Sequence, residues 1–148
     1  MILNTIGYQG TDAASLIRTL KEAGVECLVD VRENTHSRKP GFSKNALAEA
    51  VQAQGFRYVH LRGLGTPPEM RKAYHATSDL AQFRRDYLGY LATRGEDLRE
   101  LAGLLPQGRC CLMCFEADPA ECHRSLIAAQ LEQQFAGGLE IRHLRGGE

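Results

Sequence analysis

Short apolar runs of strand length alternate along this chain with stretches of helical period, and that alternation predicts an α/β fold. The expected architecture is one three-layer, Rossmann-like domain over residues 1–148, with a mostly parallel sheet of about five strands and helices on both faces. Two further observations agree with it. At 148 residues the chain has the length of one domain, and a domain of that size buries roughly 68–70% of its unfolded surface. Its 43% hydrophobic and 24% charged residues are the balance of a globular protein rather than a disordered one. Only residues 145–148, Arg-Gly-Gly-Glu, read as a loose tail.

The first strand is expected over residues 2–8, closed by Gly10, with Thr11 or Asp12 capping a helix whose Leu16, Ile17 and Leu20 share a face. Gly24 suits the position just past that helix. Residues 27–31 make a short buried strand. Ser43 caps a second helix through Leu47 and Val51, ended by Gly55, and residues 56–61 form the third strand. Residues 62–78 combine two glycines and two prolines with weak periodicity and read as a long loop, a lid or binding loop. Asp79 opens a helix carrying Leu80, Phe83, Tyr87, Leu88 and Leu91. Gly95 breaks it before a second piece over residues 96–105, which Pro106 and Gly108 stop. Residues 109–117 are the fourth strand, and residues 139–144 a fifth at a sheet edge.

Charge and cysteine content bound the function classes. Lysine plus arginine balances aspartate plus glutamate, 18 against 18, so no overall positive field favours nucleic acid. Nucleic acid would need a local patch, and the loop at residues 32–44 offers one, with four basic residues against one glutamate. No window approaches the 18 or more apolar residues of a membrane helix, and residues 1–12 carry no leader pattern. The reading is therefore a cytoplasmic protein without a membrane partner. Five cysteines in a chain that needs no staples fit reduced thiols better than a disulfide framework.

In an open α/β sheet, ligands bind beyond the carboxyl ends of the strands. Those ends carry Gly7 and Tyr8, Asp30 and Arg32, His60 with Gly63 and Gly65, and Cys114 with Glu116. Period two puts Cys114 and Glu116 on one face of their strand, and Asp30 and Arg32 on one face of theirs. Asp118, Pro119 and Glu121 read as N-cap, N1 and N3 of a helix that carries Cys122, His123 and Arg124 in its next turn. A helix N-terminus there suits phosphate or carboxylate, with Arg32 and Arg124 as bidentate donors.

Structural readings compete with each of these. Asp118 and Glu121 fit capping better than catalysis, and Cys27, Cys110 and Cys111 fit small buried apolar residues. Asp30 and Arg32 could form a structural ion pair, and His123 could be a satisfied interior histidine. Cys111 and Cys114 point to opposite faces of a strand. The spacing of Cys114, Cys122 and His123 matches no zinc pattern, and adjacent helical residues diverge by about 100°. No metal and no cofactor are therefore expected. No cysteine heads a short loop closed by an arginine before a helix, so cysteine-based phosphatase and sulfurtransferase chemistry is excluded.

TIGYQG at the start, DVREN-x-x-SR, YVHL-x-x-LG and C-x-E-x5-CHR-x-L follow one another over nearly the whole chain. In that order they resemble a bacterial and archaeal family, domain of unknown function 488. The resemblance implies an α/β fold and a site built from Asp30, Arg32, Ser37, Arg38, Cys114, Glu116, Cys122, His123 and Arg124. Many members look like T-I-G-H-S and D-V-R-x-x-P-x-S, where this chain has Tyr8-Gln9 and Thr35.

The leading reading is an enzyme, a hydrolase or transferase, acting on a small phosphate- or carboxylate-bearing, nucleotide-like ligand. Arg32, Ser37, Arg38, Arg124 and Tyr8 would bind it. Asp30 or Glu116 would act as general acid or base, and Cys114 or Cys122, activated by His123, as nucleophile. The alternatives are a nucleotide- or nucleic-acid-binding module that uses the loop at 32–44, and a thiol redox sensor.

Overall fold

A computed structural model describes residues 1–145, and of the tail expected at 145–148, residues 146–148 lie outside the described residues. Arg145 itself belongs to a strand. The chain runs β1 (Ile2–Gly7), α1 (Ala13–Glu22), β2 (Cys27–Asp30), α2 (Lys44–Ala53), β3 (Arg57–His60), a 3-10 turn at Arg62–Leu64, α3 (Pro68–Thr77), α4 (Leu80–Leu91) and α5 (Gly95–Leu104). A second 3-10 turn (Leu105–Gln107) leads to β4 (Cys110–Cys114), a third (Pro119–Glu121), α6 (His123–Gln134) and β5 (Glu140–Arg145).

All five strands are parallel, in the order β3-β2-β4-β1-β5. β2 and β4 are buried along their whole length, as expected of strands covered on both faces. One face packs Leu16 and Leu20 of α1 and Leu47 and Val51 of α2 against Ile6, Leu28, Cys111 and Met113. The other packs Tyr87 and Leu91 of α4, Leu98 and Leu101 of α5 and Ile127 and Leu131 of α6 against Leu3, Val29 and Leu112. The predicted three-layer α/β architecture is the one observed. Among the described residues no helix is long and apolar enough to cross a membrane.

Local sequence explains most of the elements. The Asp12 carboxylate accepts from the Ser15 amide at 2.7 Å, and the Asp79 carboxylate from the Gln82 amide at 3.0 Å, so these two expected N-caps form. Ser43, by contrast, stands at the N-cap of α2 without a capping bond, its hydroxyl donating to the Ser37 carbonyl. Gly24 follows α1 at φ +72°, a conformation that favours glycine. β5 lies at the edge, with Glu140 and Arg142 exposed along it, the charged edge that discourages pairing with another chain.

Two expectations fail. Residues 62–78 are not a long loop: they hold a 3-10 turn and the ten-residue helix α3. Pro68 and Glu69 are good first-turn residues, but α3 buries none of its side chains fully, so it lacks the apolar stripe that would reveal it. Tyr87 and Tyr90 of α4 donate hydroxyl hydrogen bonds to the carbonyls of Leu64 (2.6 Å) and Gly63 (2.8 Å), which ties the segment before α3 to the core. The helix expected to begin at Asp118 begins instead at His123. Asp118 caps only the short turn at Pro119–Glu121, accepting from the Ala120 amide at 2.9 Å, and Cys122 is the N-cap of α6.

Candidate functional site

Because every strand is parallel, all five carboxyl ends share one edge. The connections leaving the neighbours β2 and β4 depart over opposite faces, through α2 and α6, so a crevice opens between them. A cavity of about 570 Å³ lies there, lined by Tyr8 and Gln9 after β1, Arg32 to Asn34 after β2, Cys114 to Glu116 at the end of β4, Cys122 and His123 at the start of α6, and one face of α3.

Gly7 allows the layers to meet, since a Cβ there would overlap the Glu116 carbonyl. The Gln9 side chain accepts from the Ala117 amide at 3.1 Å, and the loop after β4 is thereby held over the end of β1. Gly65 serves the same purpose on the other side, where a Cβ would strike the backbone of Glu33.

Asp30 and Arg32 form the ion pair that competed with a site role. Nε and Nη2 of Arg32 donate to the two carboxylate oxygens at 2.8 Å each, and the Tyr58 hydroxyl donates to Oδ2 at 2.5 Å. The remaining Arg32 nitrogen donates to the Phe42 carbonyl (2.7 Å) and the Tyr8 hydroxyl (3.3 Å). Tyr8 stacks on Phe42 with ring centroids 4.4 Å apart. Arg32 therefore lines the cavity with its donors already engaged, and the Asp30 carboxylate is covered on both oxygens.

Arg124 is fully buried and is not part of the cavity wall. It donates to Thr5 Oγ1 (3.1 Å), to the Glu116 carbonyl (2.5 Å) and to the Ala117 carbonyl (3.1 Å), with Nη1 also 3.1 Å from Cys114 Sγ. Its place is inside the sheet edge, beneath the loop that the cavity rests on. Ser37 and Arg38 are likewise outside the cavity. Ser37 organises a turn by exchanging hydrogen bonds with Ser43, while Arg38 is exposed. The basic loop is also less basic toward solvent than its sequence suggests. Arg32 is buried, and Lys39 turns its amine to the Tyr8 carbonyl at 3.1 Å.

Cys114, Glu116, Cys122 and His123 do come together. Cys114 and Cys122 are joined as a disulfide, whereas Cys27, Cys110 and Cys111 remain buried thiols. The expectation of reduced thiols thus fails for one pair. The turn at Pro119–Glu121 folds the N-cap of α6 back onto the end of β4, a contact that sequence spacing does not reveal. Glu116 Oε2 lies 3.5 Å from Cys114 Sγ, and burial raises the pKa of its carboxyl above the usual range. The His123 ring is buried against Tyr87 and bonded through Nε2 to the Val31 carbonyl at 2.6 Å; burial pushes its pKa down to about 4.

The opposite wall comes from residues that the sequence reading missed. Arg71, Tyr74 and His75 line the cavity from α3, with Phe83 of α4 and Phe115 beside them. Their spacing, i, i+3 and i+4, is a helical face. It escaped notice because that face is polar and aromatic rather than apolar.

Comparison with curated proteins and with solved structures finds no match to either. The model of one family, described as domain of unknown function DUF488, matches residues 12–131, which hold β2, β3 and β4 and all of the cavity lining except Tyr8 and Gln9. The chain belongs to the DUF488 family.

Proposed function

We propose that the chain is an enzyme, a hydrolase or transferase, that takes a small phosphate-bearing, nucleotide-like substrate into this cavity. One observation carries the reading: a single cavity of about 570 Å³ combines cationic Arg71 and exposed His75 with the rings of Tyr74, Phe83 and Phe115 and the half-buried carboxyl of Glu116. Cation and aromatic surface together suit a ligand with a phosphate at one end and a flat base at the other. Arg71 is 38% exposed and shares its guanidinium with Glu33 at 3.0 Å, which leaves donors for an incoming anion. Arg32 contributes positive field rather than free donors.

Glu116 is the proposed general acid or base. Burial is the first cause of its raised pKa, and the charges of Arg124, His75 and Arg71 pull the other way. A carboxyl balanced in this manner holds its proton closer to neutral pH than an exposed glutamate does. The disulfide removes the two cysteines as nucleophiles in this form, so the proton transfer rests on Glu116.

Thermal melts against inorganic phosphate and a panel of nucleoside mono-, di- and triphosphates test the reading. A saturable rise in Tm is expected for at least one nucleotide. Arg71→Ala should weaken that nucleotide about tenfold, roughly 1.4 kcal/mol. Glu116→Gln should keep the rise and lose turnover of the same nucleotide. An unchanged rise in Arg71→Ala, or no rise with any of the probes, overturns it.

A second reading, a thiol redox sensor, is favoured by the disulfide on the cavity wall. It expects the Cys114–Cys122 bond to open and close with glutathione poise while Cys27, Cys110 and Cys111 stay unmodified, as mass spectrometry after alkylation would read.

A further inference from the structure

The sequence argues against a metal at Cys114, Cys122 and His123 because adjacent helical residues diverge. Cys122, however, is not helical. It is the N-cap of α6 with extended backbone, φ −128° and ψ 144°, and His123 is the first helical residue. That change of conformation between neighbours lets both side chains turn toward the end of β4. One ligand atom from each of Cys114, Cys122 and His123 lies within 4.8 Å of the other two. In a tetrahedral zinc site, bonds of about 2.3 Å to sulfur and about 2.0 Å to nitrogen put neighbouring ligand atoms roughly 3.5–3.8 Å apart. Opening the S–S bond between Cys114 and Cys122 frees the two sulfurs to separate into that range.

A second, independent observation concerns the histidine. The Val31 carbonyl can only accept, so Nε2 carries the ring proton and Nδ1 presents its lone pair. Nδ1 lies 3.5 Å from Cys122 Sγ, and a disulfide sulfur has no proton to give it. His123 is 6% exposed, and among the described residues nothing donates to this nitrogen. A buried imidazole lone pair aimed at two sulfurs is arranged as a ligand. The Nε2–H bond to a carbonyl is the partner that fixes the tautomer and orientation of a metal-bound histidine. Arg124 Nη1, 3.1 Å from Cys114 Sγ, is placed to donate to a thiolate.

We propose that the reduced chain binds one thiophilic divalent ion of the zinc class through Cys114 Sγ, Cys122 Sγ and His123 Nδ1, and that the disulfide is the metal-free, oxidised form of the same site. A phosphine reductant with water supplies two electrons and two protons, opens the S–S bond to two thiols and leaves as the phosphine oxide. Binding then forms two metal–sulfur bonds and one metal–nitrogen bond and releases the two thiol protons to solvent. The fourth position faces the cavity, where the Glu116 carboxylate, with Oε2 3.5 Å from Cys114 Sγ, stands nearest. Three protein ligands with a fourth position open to a pocket is the pattern of a working rather than a purely structural ion. This site does not depend on the nucleotide reading, and its test measures no nucleotide and no turnover.

The test titrates the full chain with Co²⁺ and then Zn²⁺, without air, after phosphine reduction and again after reoxidation. The reduced chain should take up one Co²⁺ and show the visible band of tetrahedral cobalt with sulfur-to-cobalt charge transfer. Equimolar Zn²⁺ should displace it, and the oxidised chain should show neither band. His123→Gln should weaken Co²⁺ about tenfold or more, and Cys114→Ser should abolish the charge-transfer intensity of that sulfur. Cys111→Ser should change nothing, because that thiol lies on the other face of the sheet. The comparison of reduced with oxidised wild type needs no substitution, so it decides the matter even if a variant fails to fold. A reduced chain without the tetrahedral band, the same band in the oxidised chain, or an unaltered spectrum in a folded Cys114→Ser overturns the proposal.

Discussion

Arg124 shows how one residue changes meaning between sequence and structure. A charged group at a core-facing position must be paired or used, and the sequence cannot distinguish the two, because the partners that decide it are backbone carbonyls of a loop with no pattern of its own. The structure supplies those partners at Glu116 and Ala117 and adds Thr5. Arg124→Gln should therefore cost about 2–4 kcal/mol of stability, since it leaves buried carbonyls unsatisfied; denaturant unfolding that loses less than about 1 kcal/mol would contradict the structural role. The same hydroxyl makes a pH prediction. Thr5 Oγ1 accepts from Arg124 and shares a hydrogen bond of 2.6 Å with His143 Nδ1. Burial, then the nearby Arg124 charge, lowers the His143 pKa. The unfolded chain therefore takes up this proton first as pH falls below about 6.5, and stability present above that pH is lost on the way down to the lowered folded value. Melting temperatures from neutral to mildly acid pH should fall less steeply in His143→Gln than in wild type, and parallel profiles would remove His143 from the account.

At the scale of elements, what was legible followed apolar periodicity and caps. α1, α2, α4, α5 and the strands β1, β2 and β4 bury apolar side chains, β3 and β5 half-bury theirs, and Asp12 and Asp79 cap where their positions suggest. α3 was illegible because its ordered face looks into a cavity instead of a core, so Arg71, Tyr74 and His75 carry the periodicity that leucines carry elsewhere. The start of α6 was misread for a different reason. Asp-Pro-Ala-Glu has the composition of a helix start, and it forms only one 3-10 turn because Cys122 adopts an extended conformation before the helix proper. Of the predicted site, Cys114, Glu116, Cys122, His123, Arg32 and Tyr8 meet at the cavity, while Asp30, Ser37, Arg38 and Arg124 do not line it. The glycines separate packing from propensity. A Cβ at Gly7 would overlap the Glu116 carbonyl, whereas one at Gly103 in α5 meets nothing. Gly7→Ala should lose roughly 1–3 kcal/mol through overpacking, and Gly103→Ala should gain roughly 0.5–1 kcal/mol through helix propensity. Denaturant melts in which Gly7→Ala loses no stability would show that the close approach at β1 is not rigid.

At the scale of the whole molecule, the parallel sheet divides the chain into a part held from both faces and a part held from one. β2 and β4 are buried throughout and sit at the centre of the order β3-β2-β4-β1-β5. α3 has no fully buried residue, and it packs chiefly on α4. The expectation of a lid over residues 62–78 is therefore an expectation about a helix: its preceding turn is tied down by Tyr87 and Tyr90, while its body has no fully buried side chain. Local opening is easiest where buried apolar contacts are few. Native-state hydrogen exchange should find the amides of α3 opening well below the free energy of global unfolding, and those of β2 and β4 opening only with it. A nucleotide bound among Arg71, Tyr74 and His75 adds contacts to α3 that the empty cavity lacks, and linkage requires that helix to be the segment whose exchange slows most. Exchange of α3 as slow as that of β4 without ligand would make it a fixed wall; slowing spread evenly over the chain on adding nucleotide would place the binding somewhere else.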